Sequence, residues 1–422
     1  MIGYGEALEE ILRLAERNAP SRSIEECPLE EAIGRVLQEE LRSAENVPGF
    51  ANSAMDGFAV LAEETASASY AKPVRLRVAG SIAAGEAPRA SVVPERKTCW
   101  EIMTGAAVPA AFDSVVKIEN VEVKKNIQDQ PEEILLFSPV ERGAHVRQPG
   151  EDFEKGSRVA SSGTLILPRH VVVLASLGIA KLKVARRARV AVISTGSELS
   201  GISEALQPGK IRNSTGPFLR SALFEIGSEV TLSAEIQDNP GEFRGLLEGI
   251  LRTGNAEVVI TTGAVSMGRH DFIAETLRTM GATIRFHKVA IRPGKPVLVA
   301  EFQNRERPLV VFGLPGNPVS TAVGMRFFVE PYLRALLQRE EERAECAILT
   351  ADVPKPEGLR CFFKARVVTD ASGNSTATVL PGQASFMVSP LLEANAWTVL
   401  PEQGTQVRKG TLVQIFPMEG PR

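Results

Sequence analysis

The stretch that decides the fold reads VAVISTGSEL and runs from Val190 to Leu199. Its first five residues form a continuous β-rich run, which indicates a buried strand, and Thr195-Gly196 marks a turn. Predicted helices and strands then alternate, with helices at 217–225, 242–251 and 272–280 and strands at 229–236, 257–262 and 283–288. This alternation is typical of a parallel sheet with right-handed crossovers, in which ligands bind beyond the carboxyl ends of the strands.

The N-terminal half has a different pattern. Apolar residues recur at helical spacing from Leu8 to Ala15, which predicts a first helix that ends at Pro20. We expect a second short helix at 29–37 and a loop at 46–57. Short strands and a hairpin loop predict a β-rich module, with strands at 74–79, 100–103, 115–118 and 134–137 and the loop at 124–133.

The remaining segments complete the organisation. Another helix is predicted at 169–177, between Pro168 and Gly178. After the α/β region, 319–337 is a long helical stretch, which a charged linker follows. The residues 347–416 show short strands with Gly and Pro turns, which predicts a second small β-domain. The sequence therefore predicts a multidomain α/β plus β fold, which fits 422 residues at about 100–200 residues per domain.

Composition narrows the class of protein. Hydrophobic residues make up 44% and charged residues 23%, as in ordinary globular proteins. The formal net charge of -3 argues against a nucleic-acid partner, because a general nucleic-acid binder carries a basic surface. The apolar runs are far shorter than the roughly 20 residues that a bilayer span needs, so we also expect no membrane partner.

The cysteines and histidines give no metal-binding pattern. The cysteines form no CxxC pair and no zinc spacing, and the histidines show no ligand spacing as a set (Cys27, Cys99, Cys346, Cys361; His145, His170, His270, His287). We interpret the cysteines as structural thiols in a reducing compartment, because the start of the sequence has no signal-like run. We therefore expect a cytoplasmic location.

Two loops directly follow predicted strands of the α/β region. STGSEL (Ser194–Leu199) offers small residues and backbone N–H groups that can hold an anion, or it is a tight turn with Glu198 as a helix-start acid. TTGAVSMG (Thr261–Gly268), with Asp271 just beyond, resembles a phosphate-cradling loop without the P-loop lysine. Asp271 can hold Mg²⁺ or cap the next helix, and the two roles are compatible.

Two further stretches add charge and a rigid turn. Lys288, Arg292 and Lys295 lie within eight residues of one another and suit oxyanion binding, although a solvated basic turn is the alternative. GLPGNP (Gly313–Pro318) is a rigid turn that opens a helix, and helix N-termini favour anions. Both stretches belong to the same α/β region as the two loops above.

An acid also stands in a loop of the N-terminal half. SAMDGF (Ser53–Phe58) places Asp56 before a glycine, where an acid is often only a turn residue. Together the residues predict an anion- or nucleotide-binding α/β domain with several loop carboxylates, which is suited to Mg²⁺-assisted phosphate chemistry. They do not name a substrate.

Eight motifs, taken in order, resemble those of the MoeA family, the molybdopterin molybdenumtransferases, to which the gephyrin E domain is related. They are SAMDGF (Ser53–Phe58), MTGA (Met103–Ala106), DSVVKIE (Asp113–Glu119), GED (Gly150–Asp152), STGSEL (Ser194–Leu199), TGAVSMG (Thr262–Gly268), RPGKP (Arg292–Pro296) and GLPGNPVS (Gly313–Ser320). One such motif is weak evidence, but eight in the family's order span nearly the whole chain.

The resemblance implies four structural regions and an elongated homodimer. An N-terminal helical and linking region covers 1–45 and 145–185, and a β-rich module at 46–144 is inserted into it. A molybdopterin-binding α/β domain covers 186–338, and a C-terminal β-domain covers 345–422. The resemblance further implies molybdopterin adenylyltransferase and molybdoenzyme delivery proteins as protein partners.

The resemblance also implies the reaction. Adenylylated molybdopterin and molybdate are the substrates, the phosphoanhydride is hydrolysed with Mg²⁺, AMP leaves, and the pterin dithiolene holds molybdenum. The sulfurs that bind the metal belong to the substrate, which agrees with the absence of a cysteine motif in this sequence.

The resemblance assigns roles to residues by position. The acids of the family fall on Asp56, Asp152, Glu198, Asp238 and Asp271, and these are the expected catalytic residues. Glu198, Asp238 and Asp271 are expected around Mg²⁺ and the phosphates, whereas Asp56 is expected to reach the cleft of the partner subunit.

The expected substrate-binding residues are Thr104, Gly263, Ser266, Lys288, Arg292, Lys295, Pro315, Pro318, Arg360 and Ser385. Thr104 accompanies Asp56 toward the partner subunit's cleft. Ser266 and the three cations at 288–295 are expected to hold molybdate or phosphate oxygens. Arg360 and Ser385, in the C-terminal domain, are expected to serve molybdate entry.

The sequence departs from the family pattern at several positions. Ala51 stands where the family usually has Asp, Thr215 where Asn is common, and Ala365 near a usual Arg. Arg292 replaces a lysine and keeps the charge, although the two cations are not interchangeable. Ala264 replaces the second glycine of TGGVS and narrows the backbone freedom of that loop.

Two other functions fit parts of the pattern. A molybdopterin adenylyltransferase shares the α/β domain but has no need of the SAMDGF region or of the C-terminal β-domain. A scaffold that kept the fold and lost the activity is the second alternative, since the gephyrin E domain anchors receptors. The acids and cations that this sequence retains argue against that alternative.

Overall fold

The computed structural model describes residues 1–19, 23–86, 95–265, 272–303 and 308–418. The chain divides into two units, the first made of Met1–Gln38, Gly163–Leu167 and Lys181–Arg422 and the second of Glu39–Ser162 and Pro168–Ala180. Within the described ranges, no helix combines the length and the apolar character that a bilayer crossing requires.

The first helix, Tyr4–Asn18, confirms the N-terminal prediction. Its apolar face enters the core on one side of the α/β sheet, through Tyr4, Ala7, Ile11, Leu14 and Ala15. Residues three and four apart share one helix face, so this spacing buries them together.

The second predicted helix, 29–37, is wrong. The structure has only a 3₁₀ turn at Leu29–Glu31, and Val36 and Leu37 form isolated β-bridges. Gly34 lies between this turn and the bridged residues, with φ of 76°, a left-handed conformation that is easy for glycine and that interrupts a helix. The apolar spacing around Val36 therefore serves extended backbone instead.

The second unit is built on a six-stranded sheet, which confirms the predicted β-rich module. The strand order is Ser114–Lys117, Gly57–Val60, Thr98–Ile102, Val74–Ile82, Pro131–Leu136 and Val121–Lys125. Two of these strands, Gly57–Val60 and Val121–Lys125, were not predicted from the sequence. Gly57–Val60 is short and buried on both faces, so it lacks the alternation of apolar and polar residues that marks a half-exposed strand.

The second unit contains further short elements. They are the helices Ala62–Thr65 and Pro168–Ser176, the 3₁₀ turn Ile118–Asn120, and the strand pairs Leu41–Arg42 with Arg158–Ala160 and Asn52–Ser53 with Val146–Arg147. The helix Pro168–Ser176 was predicted, and Gly178 beyond it has φ of 70°. Left-handed glycine is a common helix end.

The α/β domain in the first unit carries a six-stranded sheet. The strand order is Glu229–Ile236, Arg189–Thr195, Val258–Thr262, Leu309–Leu314, Leu298–Phe302 and Thr283–His287. The first four strands are parallel, as predicted. Leu298–Phe302 runs antiparallel to both of its neighbours, which corrects the expectation of a wholly parallel sheet. The ten residues between Thr283–His287 and Leu298–Phe302 form a hairpin, since a parallel pair needs a longer crossover.

Helices cover both faces of this sheet. They are Thr215–Glu225, Pro240–Thr253, Ile273–Thr279, Pro318–Gly324 and Glu330–Leu336, with the π-helix Met325–Val329 joining the last two. The helices Pro240–Thr253 and Ile273–Thr279 pack on one face of the sheet. The other three helices pack on the opposite face, together with the π-helix and Tyr4–Asn18. Two separate cores therefore fix the sheet and the loops at its ends.

The C-terminal domain is a second β-structure, as predicted. Its strands are ordered Ile291–Arg292, Arg360–Thr369, Ser375–Val379, Glu345–Leu349, Leu412–Pro417 and Ala396–Leu400. Arg360–Thr369 also pairs with Ala396–Leu400, so five of these strands close into a barrel. The remaining short elements of the first unit are the strand pairs Ile24–Pro28 with Lys181–Ala185, Leu199–Ser200 with Ile211–Arg212 and Val353–Pro354 with Gln406–Val407, and the 3₁₀ helix Ser389–Leu392.

Candidate active site

The carboxyl ends of adjacent parallel strands stand level with one another in the α/β sheet. Ser194 pairs with Thr262, and Thr262 pairs with Leu314. The loops that follow these strands therefore leave the sheet at the same edge, where ligands of such folds bind. We call this edge, with the loops 196–198, 237–239, 263–265 and 315–317, the site edge.

Glu198 and Asp238 lie on neighbouring loops of the site edge. The Asp238 carboxylate accepts a hydrogen bond from the Ser197 backbone N–H (3.3 Å), and the Asp238 N–H donates to Ser197 Oγ (3.4 Å). The Glu198 carboxylate folds over Gly196, because a Cβ at Gly196 would lie 2.7 Å from a Glu198 oxygen. Two carboxylates thus flank one turn and present hard oxygen atoms, which are the ligands that Mg²⁺ prefers.

Asp271, the third acid expected at Mg²⁺, and Ser266 lie outside the described residues. Among the residues that are described, no group of three His, Cys, Asp or Glu side chains is arranged to hold a metal ion. Mg²⁺ commonly takes only one or two protein carboxylates, together with substrate phosphates and water. The pair Glu198 and Asp238 therefore fits what such an ion needs from the protein.

The loop at Gly263 packs tightly against its neighbours. Gly263 has φ of 89°, and a Cβ there would lie 2.3 Å from the Thr195 carbonyl oxygen. Ala264 follows with φ of 49°, which is uncommon for a residue with a side chain. A Cβ at Gly316 would lie 3.5 Å from the Gly263 Cα, so the end of one strand and the loop 315–317 both pack against Gly263.

The cations of the turn 288–296 are held from two sides. Lys288 has φ of 75°, and its N–H donates to the Val297 carbonyl (2.9 Å) across the hairpin. Arg292 lies in the two-residue strand Ile291–Arg292, which pairs in parallel with Arg360 and Cys361 of the C-terminal sheet. The position of the cations is therefore set by the α/β hairpin and by the C-terminal domain together.

A cavity of about 550 Å³ lies beside these cations, and we call it the smaller cavity. It brings together five of the predicted substrate-binding residues, namely Gly263, Arg292, Lys295, Pro315 and Ser385. Of the described residues that line it, none is an Asp or a Glu. A recess with two cations and no carboxylate on its described walls suits an oxyanion.

Ser385 joins the C-terminal domain to the start of a helix of the α/β domain. Its Oγ accepts a hydrogen bond from Asn317 Nδ2 (3.1 Å), and its carbonyl accepts one from the Val319 N–H (3.0 Å). Val319 belongs to the helix Pro318–Gly324, which follows the GLPGNP turn. The wall of the smaller cavity therefore continues from one domain into the other within the first unit.

Arg360 is engaged elsewhere. Its Nε lies 2.9 Å from Glu402 Oε1, its Nη2 donates to Glu402 Oε2 (3.3 Å), and its guanidinium lies 5.1 Å from the centre of the Tyr4 ring. Burial raises the pKa of Tyr4 to about 12, although the charge of Arg360 opposes this shift. Leu359, the residue before Arg360, lines the smaller cavity.

A larger cavity, of about 1140 Å³, opens from the site edge and shares Gly263 with the smaller one. Besides Gly263, two predicted residues line it, Glu198 and Pro318. Much of its remaining wall is apolar and comes from Phe218, Met325, Phe386, Leu391, Trp397 and Met418. Its size and its mixed wall are typical of a site for an organic ligand with a polar end.

The second unit holds the other predicted residues. The Asp56 Oδ1 atom accepts hydrogen bonds from the Thr104 N–H (2.6 Å) and from Thr104 Oγ1 (2.8 Å). The hydrogen bond from the Thr104 backbone, followed by that from its side chain, lowers the pKa of Asp56. Asp56 and Asp152 are both exposed. Asp56 is therefore an ionised, oriented carboxylate at the surface of this unit.

Most of the wall of the larger cavity was missed in the sequence. Phe218 and Met325 lie in helices, and Trp397 lies in a strand, so in the sequence their apolar side chains cannot be told from those of core residues. Gln383 of the smaller cavity was missed because nothing nearby in the sequence marks it. The sequence did contain one usable signal for Gln383. Lys364, whose N–H donates to Gln383 Oε1, interrupts the apolar run from Cys361 to Ala365.

Three family models match successive parts of the chain. The MoeA N-terminal region (domain I and II) matches residues 2–178, a probable molybdopterin binding domain matches 191–335, and the MoeA C-terminal region (domain IV) matches 346–418. The matches follow one another in the order that the eight motifs predicted.

Curated relatives and solved structures agree with these matches. The molybdopterin molybdenumtransferase of Synechococcus elongatus is 37% identical over 98% of this chain and 99% of its own length. That of Bacillus subtilis is 34% identical over 92% of this chain and 88% of its own. A crystal structure of a molybdopterin biosynthesis MoeA protein from Pyrococcus horikoshii OT3 has 28% identity and a TM-score of 0.77, covering 98% of this chain and 99% of that one. The chain belongs to the MoeA family.

Proposed function

We propose that this chain is a molybdopterin molybdenumtransferase, which inserts molybdenum from molybdate into adenylylated molybdopterin with Mg²⁺-dependent hydrolysis and release of AMP. Membership of the MoeA family supports a role in molybdenum cofactor biosynthesis. The observation that carries the proposal is the meeting, at the site edge, of two loop carboxylates with a cation-lined recess. Phosphate hydrolysis and oxyanion capture need these two features side by side.

The acids act at the phosphoanhydride. Glu198 and Asp238, with Asp271 outside the described residues, would hold Mg²⁺, and the ion would supply charge neutralisation at the phosphates and activation of water. Water attacks the phosphorus of the molybdopterin phosphate, and the bond from that phosphorus to the bridging oxygen breaks. AMP leaves with the bridging oxygen, and molybdopterin keeps its phosphate with the oxygen of water. Ser197 keeps the Asp238 carboxylate in place through its backbone N–H.

The cations act on molybdate, which is a substrate. Arg292 and Lys295 bind its oxygens in the smaller cavity, and Ser385, which also lines that cavity, offers a hydroxyl. Lys288 lies on the same hairpin and supports the phosphate side. Because Gly263 lines both cavities, molybdate is held next to the site where the dithiolene arrives.

The larger cavity receives adenylylated molybdopterin. Its polar end at Glu198 faces the phosphates, and its apolar walls at Phe218 and Trp397 pack against planar rings. Its volume of about 1140 Å³ exceeds the roughly 300–1,000 Å³ usual for small-molecule sites, as a dinucleotide-sized ligand requires.

The active form is a cytoplasmic homodimer. Asp56 and Thr104 of one subunit complete the cleft of the other, with Asp152 on the same unit as a further acid. Exposed apolar side chains of the first unit support a buried contact between subunits, for example Phe224, which is 83% exposed. Cys27, Cys99 and Cys361 are buried free thiols, which suits a reducing compartment.

The test is AMP release from adenylylated molybdopterin with Mg²⁺, with and without molybdate. We expect molybdate-dependent release, lowered at least about 100-fold in Asp238→Ala because a carboxylate at the phosphates is lost. Glu248→Ala is a matched control, since Glu248 is an exposed acid paired with Arg244 on the same domain. No release from a folded dimer with any oxyanion would favour the scaffold alternative, and ATP-dependent adenylylation of molybdopterin would favour the adenylyltransferase.

A further inference from the structure

Lys364 is a cation in the interior of the C-terminal domain. It lies on the strand Arg360–Thr369 and is 0% exposed. Burial lowers the pKa of its ammonium group. A buried charge is costly unless its hydrogen bonds are made, so the partners of Lys364 show what it does.

The ammonium group closes one loop. Lys364 Nζ donates to the Gly382 carbonyl (2.8 Å) and to the Met387 carbonyl (2.8 Å). We call the segment between these two carbonyls, 382–387, the Ser385 loop. Residue 364 also binds the loop through its backbone, since its N–H donates to Gln383 Oε1 (3.0 Å) and its carbonyl accepts from Gln383 Nε2 (2.9 Å). The two ends of the loop are thus tied to one residue.

The middle of the Ser385 loop forms a wall of the smaller cavity. Residues 383–386 all line that cavity. Ser385 meets Asn317 and Val319 of the α/β domain, so the loop bridges from the Lys364 strand to the site edge. Displacing either end of so short a loop would move Ser385 away from Arg292 and Lys295.

We propose that Lys364 is a positioning residue, which holds the Ser385 loop against the smaller cavity and thereby sets the affinity of that cavity for its oxyanion. The proposal rests on the proposed function, because it takes the smaller cavity as the oxyanion site. Lys364 itself acts through the loop and does not touch the oxyanion.

Lys355 provides a matched control. It is a second lysine buried in the same domain, 6% exposed, and its Nζ donates to the carbonyls of Pro356, Glu402 and Gly404. Lys355→Met therefore removes a similar set of hydrogen bonds from a different loop. It separates general damage to the domain from release of the Ser385 loop.

The experiment measures chymotrypsin cleavage after Phe386 and molybdate binding by calorimetry, both on the full chain. Phe386 is 69% exposed, so cleavage there depends on how freely the loop moves. In Lys364→Met we expect cleavage to rise about tenfold and the Kd for molybdate to rise about tenfold, because two carbonyls lose their donor. In Lys355→Met cleavage after Phe386 should stay at the wild-type rate.

Lys364→Gln is the second variant, in case Lys364→Met does not fold. Gln keeps a hydrogen-bond donor, but its side chain is shorter and uncharged. We therefore expect smaller increases in cleavage after Phe386 and in the Kd for molybdate. Wild-type cleavage and wild-type Kd in a folded Lys364 variant would overturn the proposal, as would equal loosening of the loop in Lys355→Met. If the wild type binds no molybdate, the proposed function fails, while the cleavage comparison still decides whether Lys364 holds the loop.

Discussion

Two consecutive residues at the site edge have left-handed backbone, and only one of them is glycine. Gly263 has φ of 89° and Ala264 has φ of 49°. The left-handed region costs roughly 1–2 kcal/mol for a residue with a Cβ, so Ala264 stores strain where the ligand loop turns. The sequence departs from the family's TGGVS at this same position.

Ala264→Gly should relieve this strain. We expect the free energy of unfolding to rise by roughly 0.5–1 kcal/mol, since the relief exceeds the entropy that glycine loses on folding. Chemical denaturation of the variant measures it. Ala335→Gly is the control, because Ala335 lies in the helix Glu330–Leu336 and its replacement should cost about 1 kcal/mol. A loss of stability in Ala264→Gly would contradict the inference that the backbone at Ala264 is strained.

Asp56 depends on Thr104 for its low pKa. Thr104→Ala removes the hydrogen bond from Oγ1 and leaves that from the N–H, so the pKa of Asp56 should rise toward its ordinary value. An Asp with a depressed folded pKa contributes stability above its unfolded pKa, and that contribution is lost as the pH falls through the folded value. Because the pKa of Asp56 rises, the acid limb of the pH profile of AMP release should also move to higher pH in Thr104→Ala.

The Asp56 prediction is measured by carboxyl NMR titration beside the pH profile of AMP release. Thr104→Ser keeps a hydroxyl and should keep the depressed pKa of Asp56. An unchanged Asp56 pKa in Thr104→Ala would show that the backbone N–H alone sets it.

At the scale of elements, packing between loops fixes the site edge. A Cβ at Gly263 would meet the Thr195 carbonyl oxygen at 2.3 Å, which neither backbone can relieve without moving. Gly263→Ala should therefore lower the free energy of unfolding by at least about 2 kcal/mol and weaken molybdate binding. Gly245→Ala, in the helix Pro240–Thr253 with nothing within 4 Å, should raise stability by up to about 1 kcal/mol.

Equal stability of the two Gly→Ala variants would contradict this account of the site edge. Thermal unfolding of both proteins, with and without molybdate, makes the comparison. A shift of the melting temperature by molybdate should remain in Gly245→Ala and shrink in Gly263→Ala, because ligand binding stabilises only the form that binds it.

Elements with a strong local signal could be predicted from the sequence. The helix predicted at 242–251 is observed as Pro240–Thr253, where Asn239 caps the start and Gly254 ends it with φ of 61°. Leu298–Phe302 and Leu309–Leu314 were not predicted, since both are buried throughout and show no alternation. The reversed direction of Leu298–Phe302 also has no periodic pattern in the sequence that would predict it.

The site could be predicted only where its residues share a motif. The loops at Glu198 and Gly263 and the cations near Arg292 were found because each follows or joins a predicted strand. Lys364, Gln383 and Phe386 come from the C-terminal domain, and only the fold places them near that edge. Long-range pairing of this kind is set by tertiary packing and has no local signature.

At the scale of the whole molecule, the proposed hydrolytic site and the proposed oxyanion site lie within one unit. The family models and full-length relatives place the chain in the MoeA family, and Gly263 lines both the larger and the smaller cavity. If the two sites work together, AMP release and molybdenum transfer are stoichiometric. If they do not, one reaction runs without the other.

The central claim is tested most directly by counting both products of one turnover. Wild-type protein, loaded with adenylylated molybdopterin, Mg²⁺ and molybdate, is quenched, and AMP and pterin-bound molybdenum are measured in the same sample. We predict one molybdenum per AMP, and loss of both in Arg292→Ala together with wild-type folding. AMP released without pterin-bound molybdenum, or molybdenum bound without AMP release, would contradict the claim that this chain couples the two.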